Sequence, residues 1–243
     1  MNQRDRGDMT ALLELRDVHT YIGQFHILQG MSLQADQGQV TVLLGRNGAG
    51  KTTTLRTILG LTPLRSGQVM LGGQPIGGLP THAIAGRGIG YVPEDRGVFT
   101  DLTVEENLVI SERGPGDLAG KADFIFGLFP DLKRLGRLKG GQLSGGQQQM
   151  LALARVLVPD NRVILIDEPT KGLAPILVEQ VMAALHNLKS AITVLLVEQN
   201  FTVARGIGDH CYIVDAGQVV HSGKMKEIAA DEGLIQRYLG AGG

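Results

Sequence analysis

A glycine-rich segment carries the clearest chemistry in this chain, and its sequence is Gly45-Arg46-Asn47-Gly48-Ala49-Gly50-Lys51-Thr52-Thr53. It follows an apolar run, residues 40–44, and precedes a helix-like stretch, residues 51–59. Such a loop binds phosphate, because its backbone N–H groups can turn toward an anion and the helix dipole adds partial positive charge. Lys51 then reaches the β- and γ-phosphates, and the Thr52 hydroxyl can ligate Mg²⁺. The segment predicts a nucleotide site built from Gly45, Asn47, Gly48, Ala49, Gly50, Lys51, Thr52 and Thr53.

An acidic pair, Asp167 and Glu168, narrows the class of nucleotide enzyme. It ends a continuous apolar run, residues 163–166, which is typical of a strand buried on both faces of a parallel sheet. Ligands bind at the carboxyl edge of such sheets. Asp167 is placed there to hold Mg²⁺, and Glu168 to polarise the water that attacks the γ-phosphate. An acidic pair can also simply terminate a strand, but with the phosphate loop present we favour catalysis.

A third segment, Leu143-Ser144-Gly145-Gly146-Gln147, opens a predicted helix over residues 147–158. Ser144 is suited to be its N-cap. The helix start then offers a second anion site, formed by Ser144 and the backbone of Gly145 and Gly146. Taken alone, the same pattern describes an ordinary capped helix.

In their order and spacing, these three segments resemble the ATP-binding subunits of ABC transporters, and the resemblance covers about residues 12–239. It implies an α/β fold: a P-loop NTPase (RecA-like) core with a mixed or parallel sheet, an antiparallel β subdomain and an inserted helical subdomain. It implies ATP and Mg²⁺ as ligands. It also implies that two subunits close head to tail on two ATP molecules, so that Ser144, Gly145 and Gly146 face the γ-phosphate held by the partner.

Strand and helix patterns divide the chain in the same way. Residues 12–18 and 31–35 alternate like antiparallel strands, whereas residues 40–44, 163–167 and 193–197 are apolar throughout. We therefore expect an ATP-binding core with its antiparallel β subdomain over residues 11–93 and 160–243, a helical subdomain carrying the Ser144 segment over residues 94–159, and a polar tail over residues 1–10. The final residues, 224–239, are predicted to form one helix.

Four positions depart from the usual family pattern. Glu94 stands where most members have a glutamine that touches Mg²⁺; a carboxylate can still ligate the ion but adds negative charge. Ala174 replaces an aspartate that bridges the two subunits. Gln199 occupies the place of a histidine that contacts the γ-phosphate, and it can donate a hydrogen bond but cannot become cationic. The aromatic residue that stacks on adenine is replaced by Ile22, and Tyr21 can take its place only if the local backbone shifts.

The sequence around three of these departures resembles that of one subgroup of the family. Residues 91–94, 172–175 and 197–200 are similar to those of the second ATPase subunit of bacterial branched-chain amino acid importers, the Liv-type or hydrophobic amino acid uptake branch. The resemblance implies a second, related ATPase subunit (or a self-dimer in isolation), two transmembrane permeases and, indirectly, a periplasmic binding protein. The region around Val98, Phe99 and the helical subdomain is the family's docking surface. Relatives in this branch import urea and short amides, so both solutes remain open.

Bulk composition sets limits on other functions. The net charge is −1 and there is no long basic run, so nucleic acid is not an expected partner. No run of eighteen apolar residues spans a bilayer, the first ten residues are unlike a signal peptide, and the single Cys211 is expected to be a packed thiol. We expect a cytoplasmic protein, and the resemblance places it peripherally on the inner membrane.

Two rival functions remain open. Some ABC ATPases move nucleic acid instead of driving transport, but those usually have two ATPase halves or a basic surface. A degenerate, regulatory nucleotide site is the other alternative, and Gln199 favours it. The presence of Lys51, Thr52, Asp167 and Glu168 favours hydrolysis, with Glu168, Lys51 and Gln199 as candidate catalytic residues and Thr52, Asp167 and Glu94 as candidate metal ligands.

Overall fold

The computed structural model describes residues 11–189 and 191–240, so the predicted polar tail lies outside the described residues. The strands are β1 Ala11–Ile22, β2 Phe25–Asp36, β3 Val40–Leu44, β4 Leu64–Leu71, β5 Gln74–Pro75, β6 Ile89–Val92, β7 Val163–Asp167, β8 Thr193–Glu198, β9 His210–Asp215 and β10 Gln218–Lys224. The helices are α1 Lys51–Ile58, α2 Thr81–Gly86, α3 Val104–Val109, α4 Asp117–Leu128, α5 Pro130–Arg134, α6 Gly145–Leu157, α7 Pro175–Leu188, α8 Phe201–Ile207, α9 Met225–Ala230 and α10 Glu232–Leu239.

Six strands form a central sheet in the order β10-β9-β3-β8-β7-β6. All neighbouring strands run parallel except β10, which forms an antiparallel hairpin with β9. Strands β3, β7 and β8 are buried along their whole length, as their continuous apolar sequences predict. Because parallel strands end at the same edge, β3, β6, β7 and β8 deliver the segments that follow them to one place.

A second, antiparallel sheet has the order β2-β1-β4-β5. The strands predicted over residues 12–18 and 31–35 lie inside the longer strands β1 and β2. The inner face of this sheet packs with helix α1 against one face of the central sheet, in a shared core that includes Leu13, Met31, Leu43, Leu55 and Val197. The second sheet therefore supports the helix that begins at the phosphate loop.

Four helices, α3 to α6, follow one another in the chain between β6 and β7, and their apolar side chains share a core with one face of the central sheet. Asn107 is completely buried beneath the loop that leads into α3. Its amide nitrogen donates to the carbonyls of Phe99, Leu102 and Thr103, and its amide oxygen accepts from the Phe99 backbone N–H. This side chain therefore ties the loop at Phe99 to the first turn of α3.

The predicted single helix over residues 224–239 is wrong in detail. Lys224 ends strand β10, and the chain breaks at Asp231 into two short helices, α9 and α10. The Asp231 carboxylate accepts a hydrogen bond from the Leu234 backbone N–H at 2.9 Å. Asp231 thus leaves the helical conformation to cap α10, and the local competition between capping and helix extension was not visible in the apolar pattern.

Within the described part of the chain, every helix is too short or too polar to cross a membrane.

Candidate active site

The phosphate loop, residues 45–53, lies at the carboxyl end of β3. A Cβ atom at Gly45 would lie 2.3 Å from the Val214 carbonyl oxygen, so a larger residue does not fit there. Gly50 has a φ of 103° and stands directly before α1. No side chain caps this helix start. The backbone N–H groups at the start of α1 are therefore available to an anion, as the sequence predicts.

Lys51 is held in the centre of this loop. Its side chain is 4% exposed, and its Nζ atom donates to the carbonyl oxygens of Gly45 at 2.9 Å and Arg46 at 3.1 Å. The same Nζ lies 3.4 Å from Glu168 Oε1. The loop thus surrounds the Lys51 ammonium group, and a phosphate oxygen would compete with Glu168 to pair with it.

Thr52 and Asp167 meet from opposite sides of the site. The Thr52 hydroxyl donates to Asp167 Oδ1 at 3.0 Å, and the Tyr91 hydroxyl lies 3.4 Å from Oδ2. Burial is the main reason that the pKa of Asp167 is raised to about 6; the Thr52 hydrogen bond opposes it, and the nearby charges of Glu168 and Glu94 add to it. Burial also raises the pKa of Tyr91, so its hydroxyl remains a donor. A buried carboxylate with so little positive charge beside it is suited to receive a cation.

A cavity of 320 Å³ opens in front of this pair, lined by Thr52, Arg56, Tyr91, Pro93, Glu94, Asp95 and Asp167. Hydroxyl and carboxylate oxygens are the ligands that Mg²⁺ prefers, and this ion usually takes only one or two protein ligands beside phosphate and water. The described residues contain no group of three or more His, Cys, Asp or Glu side chains arranged to enclose a metal by themselves. The donors present therefore fit an ion that is shared with a bound phosphate.

Glu168 lies one residue beyond β7 and is 6% exposed. Its φ is 45°, a left-handed conformation that is uncommon outside glycine. Its two oxygens face two cations: Oε1 lies 3.4 Å from Lys51 Nζ, and Oε2 lies 3.3 Å from Lys171 Nζ. The unusual backbone conformation thus directs the Glu168 carboxylate toward Lys51 and the phosphate loop.

Lys171 was missed by the sequence interpretation. Besides Glu168 it contacts Glu94, with Nζ 2.6 Å from Glu94 Oε1. The hydrogen bond with Glu94, followed by the charge of Glu168, raises the pKa of Lys171. These three side chains help line a second cavity of 310 Å³, together with Ile27, Asn47, Gly48, Gly50, Lys51, Thr52 and Thr53. The sequence feature that could have identified Lys171 was a lysine in the turn that follows Asp167 and Glu168.

Glu198, at the end of β8, is a second carboxylate that the sequence interpretation did not use. It is 2% exposed and accepts from the Thr170 hydroxyl at 2.7 Å and from the backbone N–H groups of Gln199 and Asn200 at 3.1 and 3.3 Å. Burial raises its pKa in spite of these hydrogen bonds. Glu198 therefore ties the loop after β7 to the end of β8, where Gln199 lies exposed.

The segment at Ser144 is separate from these cavities. Ser144 caps α6: its hydroxyl accepts from the Gln147 N–H at 3.3 Å, and its own N–H donates to Gln147 Oε1 at 2.9 Å. A Cβ atom at Gly146 would meet Leu177 at 2.6 Å, and one at Gly145 would lie 3.4 Å from the Arg96 guanidinium. The predicted cap is confirmed. Ser144 is exposed at this helix start and lines neither of the two cavities.

Tyr21 lies on the first hairpin, where β1 and β2 shift register between Thr20 and Tyr21. The Tyr21 ring stacks on His26, with ring centres 4.2 Å apart and planes within 5°. Tyr21 is 42% exposed and Ile22 50%, so both side chains reach solvent. A backbone irregularity therefore lies next to Tyr21, and His26 covers one face of its ring.

Comparison with known proteins places this geometry in a family. The family model described as ABC transporter matches residues 28–171. The high-affinity branched-chain amino acid transport ATP-binding protein BraG of Pseudomonas aeruginosa is 36% identical, over 94% of this chain and 100% of that protein. The probable branched-chain amino acid transport ATP-binding protein LivF of Archaeoglobus fulgidus is 38% identical, over 89% and 94%. The lipopolysaccharide export system ATP-binding protein LptB of Escherichia coli is 33% identical, over 88% and 91%.

Solved structures agree in fold. An ATP-binding cassette of an ABC transporter in its ADP conformation superposes with a TM-score of 0.82 at 27% identity, covering 95% of this chain and 99% of that one. The predicted α/β fold, a P-loop NTPase core with an antiparallel subdomain and inserted helices, is confirmed, and so is ATP hydrolysis as the reaction. This chain belongs to the ABC transporter family, as one of its nucleotide-binding ATPases.

Proposed function

We propose that this chain is the ATPase subunit of a bacterial importer of branched-chain amino acids. In the proposed assembly it pairs with a second, related ATPase subunit on the cytoplasmic face of the inner membrane and drives two partner permeases. The observation that carries the proposed ATPase site is the convergence of Lys51, Thr52, Asp167 and Glu168 within hydrogen-bonding or ion-pair distance at one edge of the central sheet. The likeness to BraG and LivF over nearly their whole length supports the solute class.

The site residues have distinct roles in this proposal. The backbone of the phosphate loop and the Lys51 ammonium bind the β- and γ-phosphates. Thr52, Asp167 and Glu94 would hold Mg²⁺, which supplies positive charge to the phosphate oxygens when it is bound. Glu168 orients and deprotonates the attacking water, and its two oxygens lie beside the ammonium groups of Lys51 and Lys171. Gln199, at the end of β8, offers a neutral hydrogen-bond donor to the γ-phosphate.

The second half of each site comes from a partner in this proposal. Ser144 is exposed at the start of α6, Gly145 is half-buried and Gly146 is buried, and this helix start suits an anion presented by another subunit. A related ATP-binding cassette with a TM-score of 0.76 and 28% identity is a dimer bound to ADP and phosphate, which supports this arrangement. The Tyr21 ring, on the first hairpin, is the proposed platform for adenine.

The helical layer is the proposed docking surface for the permeases. Phe99 is 44% exposed with the Arg155 guanidinium 4.6 Å from its ring centre, and Val109 and Ile110 are more than half exposed. Val98 lies beside Phe99 and packs partly into the core. An apolar surface flanked by a cation is suited to a short helix from a membrane subunit.

Lipopolysaccharide export is a second candidate, because LptB is 33% identical over most of this chain. Uptake measurements separate the two. In cells that lack the native gene, the wild-type chain should restore uptake of labelled leucine or valine, and Glu168→Gln should not. Purification of the tagged chain from membranes should recover two permeases, a second ATPase and an amino-acid-binding protein. Recovery of lipopolysaccharide-export components, a urea-specific system or no membrane protein would contradict the proposed solute.

A further inference from the structure

Lys171 is the centre of a three-residue cluster over the phosphate loop. Its Nζ atom lies 2.6 Å from Glu94 Oε1 and 3.3 Å from Glu168 Oε2. Glu94 follows β6 and Lys171 follows β7, so the contact joins two loops that are 77 positions apart in the chain. One ammonium group therefore serves two carboxylates, both of which line the cavity that contains Lys51.

The cluster lies in a region where extra negative charge disfavours the binding of a triphosphate. Asp167, Glu168 and Glu94 all face the region where a triphosphate must bind, and the phosphate loop itself offers one buried ammonium, that of Lys51. Like charges at this range disfavour an incoming anion. Glu94 adds to this negative charge, because its carboxylate lines both cavities.

We propose that Lys171 is a positioning residue that neutralises Glu94 and holds Glu168 beside the phosphate loop, and that this contact makes a carboxylate at position 94 compatible with triphosphate binding. The inference rests on the proposed roles of Glu94 and Glu168.

The backbone of the turn fixes the position of Lys171. Its N–H donates to the Glu168 carbonyl at 3.1 Å, Gly172 has a φ of 69°, and the Leu173 N–H donates to the Thr170 carbonyl at 3.2 Å. Glu198 in turn holds Thr170 through the hydrogen bond of 2.7 Å. Hydrogen bonds within the turn and to Glu198 thus fix the backbone at Lys171, whose side chain lines the cavity.

Triphosphate binding changes the partners of Glu168 but leaves Lys171 in place. When a phosphate oxygen takes Lys51, Glu168 loses one of its two cations, and Lys171 is the cation that remains. Glu94 is the other partner of Lys171, and this pair offsets the charge of the Glu94 carboxylate while the phosphates bind. Ion pairs between exposed side chains ordinarily contribute little, and Lys171 and Glu94 are 50% and 47% exposed. An effect on triphosphate binding therefore distinguishes the proposed role from that of a surface ion pair.

The test measures equilibrium binding of ATP and of ADP to the full chain in EDTA, so that no divalent ion contributes, and then kcat and KM with MgATP. Four variants are compared: Lys171→Met, Lys171→Arg, Glu94→Gln and the double variant of Lys171→Met with Glu94→Gln. The matched control is Lys121→Met, because Lys121 also pairs with a carboxylate, Asp160, at 2.5 Å, but on the helical layer.

We expect Lys171→Met to weaken ATP binding about tenfold and ADP binding less, since the γ-phosphate lies nearest the two carboxylates. Lys171→Arg should recover most of this loss, and adding Glu94→Gln to Lys171→Met should restore ATP affinity to within about threefold of Glu94→Gln alone. Lys121→Met should bind both nucleotides as the wild type does.

Equal loss for ATP and ADP, no loss in Lys171→Met, or no recovery in the double variant would each overturn the inference. Glu168→Gln separates this failure from failure of the proposed site. If Glu168→Gln turns over ATP normally, the proposed catalytic role is wrong; if it is inactive while Lys171→Met binds ATP normally, only the role of Lys171 is wrong.

Discussion

The phosphate loop and the start of α6 are the two proposed anion sites at helix N-termini, yet they are built in opposite ways. Around the phosphate loop, Lys51, Asp167 and Glu168 are each less than one-tenth exposed; Lys51 pairs with Glu168, and Asp167 accepts a hydrogen bond from Thr52. At the start of α6, Ser144 is exposed and uses its side chain to satisfy its own helix. The phosphate loop is thus preorganised within one chain. The start of α6 is an exposed surface, and in the proposed assembly a partner presents the anion to it.

In the proposed assembly, this difference lets nucleotide control the association of two subunits. The buried, pre-formed half-site would bind ATP first, and the bound γ-phosphate would then supply the anion that the exposed half-site lacks. Removal of that phosphate by hydrolysis removes the contact. Four experiments break or sharpen this comparison, and their expected effects decrease in order.

The largest effect should come from Glu168→Gln, in the preorganised half. It keeps the shape of the side chain but removes the base, so the ATPase rate should fall roughly 10²- to 10⁴-fold while ATP still binds. Steady-state hydrolysis and nucleotide binding check this. Glu179→Gln, on the exposed side of α7, is the matched control. A variant that hydrolyses ATP at the wild-type rate would remove Glu168 from the mechanism.

Mixing two inactive chains should restore activity if the halves belong to different subunits. Lys51→Ala disables the phosphate loop and Ser144→Arg blocks the helix start, so each variant alone should be inactive. In a head-to-tail mixed pair, one of the two sites has both halves intact, and an equal mixture should regain about a quarter of wild-type activity. The measurement is ATPase rate against mixing ratio. No recovery, with both variants folded, argues against sites shared between subunits.

Asp167→Asn should change how stability depends on pH. Burial raises the pKa of Asp167 to about 6, above its unfolded value near 3.8, so the folded chain holds this proton more tightly. Stability from that proton is present below pH 4 and is lost as pH rises to 6. Without nucleotide or metal, Asp167→Asn should therefore be more stable than wild type by about 2 kcal/mol at pH 7.5, and the difference should shrink toward pH 4.

Urea unfolding at several pH values provides the measurement for Asp167→Asn. Asp215→Asn, at the exposed end of β9, is the control and should give a difference that does not follow this profile. A destabilised Asp167→Asn at neutral pH would show that the carboxylate is satisfied without a cation.

The smallest effect should come from the caps. Ser144 and Thr103 form the same reciprocal capping box, at the starts of α6 and α3. Ser144→Ala and Thr103→Ala should each lower the free energy of unfolding by about 1 kcal/mol. Only Ser144→Ala should also slow ATP hydrolysis, because only that hydroxyl would face a partner's phosphate. Thermal unfolding and ATPase rates measured side by side check this, and equal rates in both variants would reduce Ser144 to a cap.

Local chemistry made much of the site predictable. The phosphate loop, the strand that precedes it and the acidic pair at Asp167 lie within short segments whose backbone needs are set by neighbouring residues. The cap at Ser144 followed from its residue type and its place directly before the predicted helix. The tail was predicted less well, because the apolar pattern continued through Asp231 while that side chain favoured a cap.

By itself, the sequence determined which ligand chemistry this protein has and which strands carry it, since glycine conformations, helix starts and buried strands depend on residues close in the chain. Tertiary structure alone decided the rest. The Lys171–Glu94 pair, the anchoring of Thr170 by Glu198 and the stacking of Tyr21 on His26 join different elements. Those contacts depend on strand order, register and side-chain direction at one sheet edge, and these are fixed by the packing of the whole core, which no local pattern encodes.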